Sequence, residues 1–157
     1  MDPIEREAAT LIIDTNAYLG SWAMRRLRYN TPAGLLELMD RAGITVACVS
    51  SASAVMYRNC HAGNEELLEA LQGAEEAGLP VAERLIPFGV LNPAYAGWER
   101  DLRWCHEVLG ARGLRLYPSY HRYRLGDPCC HELVEAATSL GMVLSVPQRM
   151  EDYRQRH

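Results

Sequence analysis

The stretch LIIDTN, residues 11–16, is an apolar run that ends directly in polar side chains of the kind found in ligand sites. The same arrangement recurs four times, and a helical pattern lies between each pair. The later runs and their ends are Ile44 to Val49 before Ser50-Ser51, Leu85 to Leu91 before Asn92-Pro93, Leu114 to Leu116 before Tyr117-Pro118, and Met142 to Val146 before Pro147-Gln148-Arg149. Parallel β/α folds bind ligands at the carboxyl ends of their strands, so these polar segments mark the expected site.

The order β-α-β-α-β-α-β-α-β within one domain, residues 1–157, fits two α/β architectures. Thr31-Pro32, Asn64 and Asp127-Pro128 predict the starts of three of the helices. One architecture is a five-stranded doubly wound sheet of flavodoxin type. The other is a partial (β/α)8 barrel with about five parallel strands, since a complete barrel typically needs about 250 residues. The sequence contains neither G-x-G-x-x-G nor a P-loop, which removes the main support for a nucleotide-binding doubly wound fold.

Composition excludes several classes of partner. The net charge is −4 and the sixteen basic residues form no stripe, so we expect no nucleic-acid partner. No apolar stretch approaches the roughly 20 residues that cross a bilayer, and residues 1–10 lack the apolar core of a signal peptide. Five irregularly spaced cysteines are typical of reduced thiols in the cytoplasm. The adjacent pairs Cys60-His61 and Cys105-His106 do not suit zinc, because neighbouring side chains on a helix point about 100° apart.

Four segments together resemble one known family. They are Ile13 to Gly20, Asn64 to Leu67, Arg84 to Pro93 and Gly113 to Pro118. In order and spacing they resemble the amidohydrolase-related (amidohydrolase 2) metal-dependent hydrolases, the group that includes aminocarboxymuconate-semialdehyde decarboxylase-like enzymes. The resemblance runs from about Leu11 to His157. It implies the N-terminal half of a (β/α)8 barrel that hydrolyses a small amide or ester, or decarboxylates a small organic acid, with zinc, manganese or iron.

The sequence departs from this family at the metal site. The first strand of the family carries Asp-x-His-x-His, and the matching residues here are Asp14, Asn16 and Tyr18. An amide oxygen is a poor ligand and a neutral tyrosine is not a ready one. A further family histidine would fall near Pro147-Gln148 and is missing. We therefore expect the usual metal site to be degraded, and no residue is assigned as a metal ligand.

The strand ends still supply candidate site residues. The catalytic candidates are His121 and Tyr117, as acid–base groups, and Asp14. Arg115 and Arg149 are expected to hold a carboxylate in two-pronged contacts. The other substrate-binding candidates are Asn92, Asn16, Tyr18 and His61, the last in the loop before the second helix. Arg115 and Asn92 also have structural alternatives to substrate binding. Arg115 could pair with an acidic residue inside the barrel, and Asn92 before Pro93 could only shape the turn.

A partial barrel predicts an open sheet edge and poor cover for inward-facing apolar residues, for which Ile12, Val46, Phe88 and Val90 are the candidates. This predicts a homo-oligomer or a piece of a longer gene product. Three functions stay open: an amidohydrolase-like enzyme, a metal-free relative that binds a small carboxylate, and an inactive fragment that pairs with another chain through its edge.

Overall fold

The computed structural model of the chain describes residues 11–147, in which five parallel strands alternate with helices. The strands are Ile13–Leu19 (β1), Val46–Ser51 (β2), Leu85–Val90 (β3), Gly113–Arg115 (β4) and Val143–Ser145 (β5). Their order in the sheet is β1-β2-β3-β4-β5, and each neighbouring pair is parallel. A flavodoxin-type sheet has the order 2-1-3-4-5. The sequential order therefore confirms the partial barrel and excludes the doubly wound alternative.

Six helices and one 3₁₀ turn connect these strands. The helices are Pro32–Ala42 (α1), Cys60–Glu76 (α2), Val81–Arg84 (α3), Trp98–Glu107 (α4), Pro118–His121 (α5) and Pro128–Ser139 (α6), and the 3₁₀ turn is Ser53–Val55. Thr31 caps α1 as predicted, since its hydroxyl accepts the backbone N–H of Gly34 at 3.2 Å. None of the helices within residues 11–147 has the length and apolarity needed to cross a bilayer.

The predicted start of the second helix is wrong. Helix α2 begins at Cys60, where Asn59 is the cap and accepts the backbone N–H of His61 at 3.2 Å. Asn64 instead lies buried in the second turn of α2. Its amide donates to the carbonyl oxygen of Val90 at 2.8 Å and accepts the Val90 N–H at 2.9 Å. Asn64 thus ties α2 to the carboxyl end of β3, beyond the last β2–β3 residue pair.

The first strand lies later in the chain than its apolar run suggested. Leu11 and Ile12 precede β1 and are exposed, and pairing with β2 runs from Ile13 opposite Val46 to Leu19 opposite Ser51. The polar segment at residues 14–18 is therefore inside the strand and not beyond its end. The register with β2 shifts between Asp14 and Ala17. Beyond this irregularity the side chains alternate, so Ala17 and Leu19 are buried in the core while Tyr18 lies on the opposite, concave face.

The main core fills the space between the sheet and the helices. It includes Leu35 and Met39 of α1, Leu67 and Leu71 of α2, Leu102 and Cys105 of α4, and Leu133 and Ala137 of α6. A second cluster brings Val55, Cys60, Val90 and Tyr117 together at the carboxyl ends of the strands. We expected the open barrel to leave certain apolar side chains exposed to solvent. This expectation is wrong for Phe88 and Val90, which are buried, and right for Ile12, which is 43% exposed.

Candidate ligand-binding site

Arg115, the last residue of β4, is completely buried. Its Nη1 donates to Asn16 Oδ1 at 3.2 Å and to the carbonyl oxygen of Ala17 at 3.1 Å. Its Nη2 donates to the carbonyl oxygens of Thr15 at 2.9 Å and Cys48 at 2.8 Å. No carboxylate pairs with Arg115 within residues 11–147, so the acidic partner considered as an alternative is not found among these residues. Carbonyl dipoles of β1 and β2 hold this positive charge in place.

Two tyrosines extend the contacts of Arg115. The Tyr18 ring lies against the guanidinium, with Cζ 4.6 Å from the ring centroid. The Tyr18 hydroxyl donates to Asn16 Oδ1 at 3.1 Å and accepts the hydroxyl of Tyr117 at 3.0 Å. Burial raises the pKa of the Tyr117 phenol above its ordinary value. Tyr117 therefore stays protonated near neutral pH, and four of the predicted site residues form one continuous hydrogen-bonded group.

His121 lies next to this group at the end of α5. Its ring meets the Tyr117 ring edge-on at 6.1 Å and stacks on the Tyr123 ring at 6.5 Å. His121 Nε2 is 3.6 Å from Cys60 Sγ, and its buried Nδ1 has no hydrogen-bond partner among the described residues. Burial lowers the pKa of the imidazole and raises the pKa of the Cys60 thiol to about 12. Near pH 7 both groups are therefore neutral, and Cys60 is not a thiolate nucleophile.

One face of His121 lines an open cavity of about 380 Å³ where the segments after β2, β3 and β4 meet. Its polar lining residues are Tyr57, Arg58, Asn92, Tyr120, His121 and Arg122. Asn92 also shapes its own turn, since it accepts the backbone N–H of Ala94 at 3.0 Å and donates to the Arg58 carbonyl at 3.4 Å. The lining residues include two arginines, both exposed, and no Asp or Glu, so the cavity suits an anion.

Two predicted site residues, His61 and Asp14, are not brought to this cluster. His61 belongs to the first turn of α2 and not to a loop, and its Nδ1 lies 3.5 Å from Asp101 Oδ1, towards α4. Asp14 accepts the backbone N–H of Asn16 at 2.8 Å and shapes the start of β1. Arg149 lies outside the described residues.

Comparison with solved structures identifies the fold. A scan against protein-family models and a search of curated proteins found no match. The chain is similar to 5-carboxyvanillate decarboxylase from Sphingomonas paucimobilis, with a TM-score of 0.65, 17% identity, and coverage of 92% of this chain and 54% of that one. It is also similar to an amidohydrolase II, with a TM-score of 0.62, 15% identity, and coverage of 90% of this chain and 53% of that one. A third similar structure is a probable 2-pyrone-4,6-dicarboxylic acid hydrolase from Acinetobacter baumannii with citric acid bound. Its TM-score is 0.56 at 18% identity, and the match covers 87% of this chain and 49% of that one.

The chain has a partial (β/α)8 barrel fold, similar to the folds of these three proteins. This confirms the fold that the sequence resemblance implied. The chain spans about half the length of each of these three proteins. At 15–18% identity the similarity concerns the fold, so the site has to be interpreted from its own residues.

The residues at the family's metal positions do not fit a divalent metal ion. The oxygen of Asn16 already accepts hydrogen bonds from Arg115 and Tyr18. Within residues 11–147 no cluster of three or more His, Cys, Asp or Glu side chains is arranged to hold a metal. The oxygen of Asn16, which would have to bind the metal ion, thus already contacts the positively charged guanidinium of Arg115.

Sequence reasoning missed Arg58 and Arg122, the two cationic residues of the cavity. Arg58 comes seven residues after the end of β2, and Arg122 follows His121 with a left-handed backbone (φ 59°). Neither lies directly at a strand end, and arginine supplies all sixteen basic residues of the chain. Only the fold shows that both side chains line the same space.

Proposed function

We propose that this chain binds a small carboxylic acid in the cavity after β2, β3 and β4, and that the chemistry it serves is hydrolysis or decarboxylation of amidohydrolase type. The observation that carries the proposal is the cavity lining, which combines Arg58, Arg122 and a buried His121 with no opposing carboxylate. Its volume of about 380 Å³ falls in the range of small-molecule sites. Two of the similar structures have carboxylates in their names, one as substrate and one as bound citric acid.

Each polar group has a distinct part in this proposal. The guanidinium groups of Arg58 and Arg122 attract the carboxylate, and charge-assisted contacts of this kind are the stronger class of hydrogen bond. His121 lines the same cavity and is neutral near pH 7 because burial lowers its pKa, so its imidazole is the proposed proton-transfer group. In hydrolysis it would take a proton from the attacking water. In decarboxylation the carbon that loses carbon dioxide would take up a proton that comes from water and passes through His121.

A metal-free binding function is the second candidate. The observation that favours it is the contact of Asn16 with Arg115, which leaves the family's metal position without a suitable donor set. In this case the same cavity binds a carboxylate without turning it over.

All five cysteines are free thiols, and a cytoplasmic location stays a prediction.

Calorimetric titration with citrate and hydroxybenzoates tests the binding proposal. We expect Arg58→Gln and Arg122→Gln each to weaken carboxylate binding by about tenfold, because each loses a charged hydrogen bond of about 1.5–3 kcal/mol that water partly replaces. The matched control is Arg112→Gln, an exposed arginine that precedes β4 at the opposite end of the sheet. Equal weakening in the control, or no binding of any carboxylate, would contradict the proposal.

Turnover is measured separately from binding. Carbon dioxide release from hydroxybenzoates, and acid release from the corresponding amides and lactones, distinguish decarboxylation, hydrolysis and simple binding. His121→Gln should abolish turnover while leaving binding within about threefold, since two guanidinium groups still hold the carboxylate.

A further inference from the structure

We infer that Arg115 occupies, as a fixed internal cation, the place that the resembled family gives to a divalent metal, and that it excludes such an ion from this chain. The inference concerns the concave face of β1 and β4, not the cavity around His121. It therefore stands or falls independently of the proposed carboxylate site.

The first argument is the contact set of the two residues at the family's ligand positions. Asn16 Oδ1 accepts from Arg115 Nη1 at 3.2 Å and from the Tyr18 hydroxyl at 3.1 Å. An amide oxygen has two acceptor sites, so both are used. The Tyr18 ring lies against the same guanidinium, at 4.6 Å. Both residues are thus committed to Arg115, from which they are separated by nearly a hundred positions in sequence.

The second argument is that this charge cannot leave or be neutralised. Arginine stays protonated in proteins. Three backbone carbonyls of β1 and β2, those of Thr15, Ala17 and Cys48, hold the guanidinium on its other sides. A divalent ion bound at Asn16 would lie within a few ångströms of this cation, where two positive charges repel strongly in a site sheltered from water.

The third argument is chemical complementarity between the two strands. Histidine ligands on β1 would present neutral nitrogen donors to a metal. An asparagine oxygen and a tyrosine ring face instead suit a planar guanidinium, which accepts no hydrogen bonds and packs well on aromatic rings. The residues present on β1 are therefore partners for a guanidinium, in the positions where metal ligands are expected.

The first measurement is a titration of the unmodified chain with Mn²⁺, which prefers oxygen ligands to thiolates. After treatment with chelator, we expect no stoichiometric Mn²⁺ binding and the same melting temperature with and without EDTA. One tightly bound ion per chain, or a melting temperature that falls with EDTA, would overturn the inference.

The second measurement restores imidazoles at the two positions. The double variant Asn16→His, Tyr18→His, with Arg115 in place, should bind Zn²⁺ no more tightly than the unmodified chain. Adding Arg115→Met should tighten Zn²⁺ binding by at least tenfold, about 1.4 kcal/mol. Adding Arg112→Met instead should leave it unchanged. The cysteines are common to all variants, so any zinc that they bind cancels in the comparison.

Equal zinc affinity with and without Arg115 would overturn the role of the guanidinium. Circular dichroism and thermal melting check that each variant is folded. If the Arg115→Met chain does not fold, the other two proteins still decide the question. Tight metal binding by the unmodified chain or by the double variant overturns the inference, and its absence in both supports it.

Discussion

A buried guanidinium without a carboxylate needs several acceptors, and Arg115 obtains them from the carbonyl groups of β1 and β2. Burying an unpaired charge is costly, whereas hydrogen bonds to carbonyl dipoles offset much of that cost. Arg115 Nε nonetheless has no partner among the described residues. The arrangement therefore fixes the charge firmly while it leaves one donor unused.

His121 makes the stability of the chain depend on pH. Burial lowers its pKa from the ordinary value of 6.5, so the unfolded chain binds a proton more readily than the folded one. The contribution of His121 to stability is complete above pH 6.5 and decreases as the pH falls below that value. We predict a steeper loss of unfolding free energy between pH 7 and pH 5 for the unmodified chain than for His121→Gln, by at most about 1.4 kcal/mol per pH unit.

Urea denaturation at a series of pH values measures this difference. The control is His131→Gln, since His131 is exposed on α6 and should leave the slope unchanged. A parallel pH dependence for His121→Gln and the unmodified chain would show that burial of His121 does not act as described.

Several of these site residues could be predicted from the sequence because they follow from strand position. Arg115, Tyr117 and His121 come at or just after an apolar run, and the carboxyl ends of parallel strands converge. Their partners could not be predicted, because the contact of Arg115 with Asn16 joins β4 to β1 across a sequence separation of 99 residues. His61 lies in α2 and not in the loop before it, because the helix is capped by Asn59. The sequence does not distinguish Asn59 from Asn64, since asparagine is an equally suitable cap at either position.

At the scale of elements, the approach of α2 to the turn after β2 positions Cys60 beside His121. Gly63 permits this approach, since a Cβ there would lie 2.6 Å from Ala54 Cβ. We predict that Gly63→Ala destabilises the chain by about 1–3 kcal/mol, although alanine favours helices, because the helix and the turn must move apart. Unfolding in urea gives the change in free energy.

Gly73 is the matched control, because it lies in the same helix with open space around its Cβ position. Gly73→Ala should stabilise the chain by up to about 1 kcal/mol through helix propensity alone. If both substitutions change stability in the same direction, the close approach of α2 to the turn after β2 does not depend on the absence of a side chain at Gly63.

The elements also show where local sequence rules stop. Asn64 satisfies the spacing of a helix cap, yet it lies in the helix interior. Its side chain there completes the hydrogen bonds of Val90 after β2 and β3 have separated. A cap rule considers only neighbours along the chain, whereas the position of Asn64 depends on β3, which begins at Leu85.

At the scale of the whole molecule, the partial barrel leaves apolar side chains exposed at both edges of its sheet. Within residues 11–147, β1 pairs only with β2 and β5 only with β4. Ile13 is 48% exposed and Val143 is 58% exposed. Apolar strand edges promote association, so the homo-oligomer expected from the sequence stays a prediction, as does the interaction fragment that pairs through its edge.

Sedimentation over a range of concentrations tests this association through the two edges. We predict that the unmodified chain gains mass as its concentration rises, and that Ile13→Lys with Val143→Lys shifts it to the monomer, because charged residues oppose strand-to-strand pairing. Leu125→Lys is the control, since Leu125 is 51% exposed in the segment between α5 and α6. If Leu125→Lys dissociates the oligomer as well, general apolar exposure and not the sheet edge holds the copies together. A chain that stays monomeric at every concentration would contradict self-association through the sheet edges.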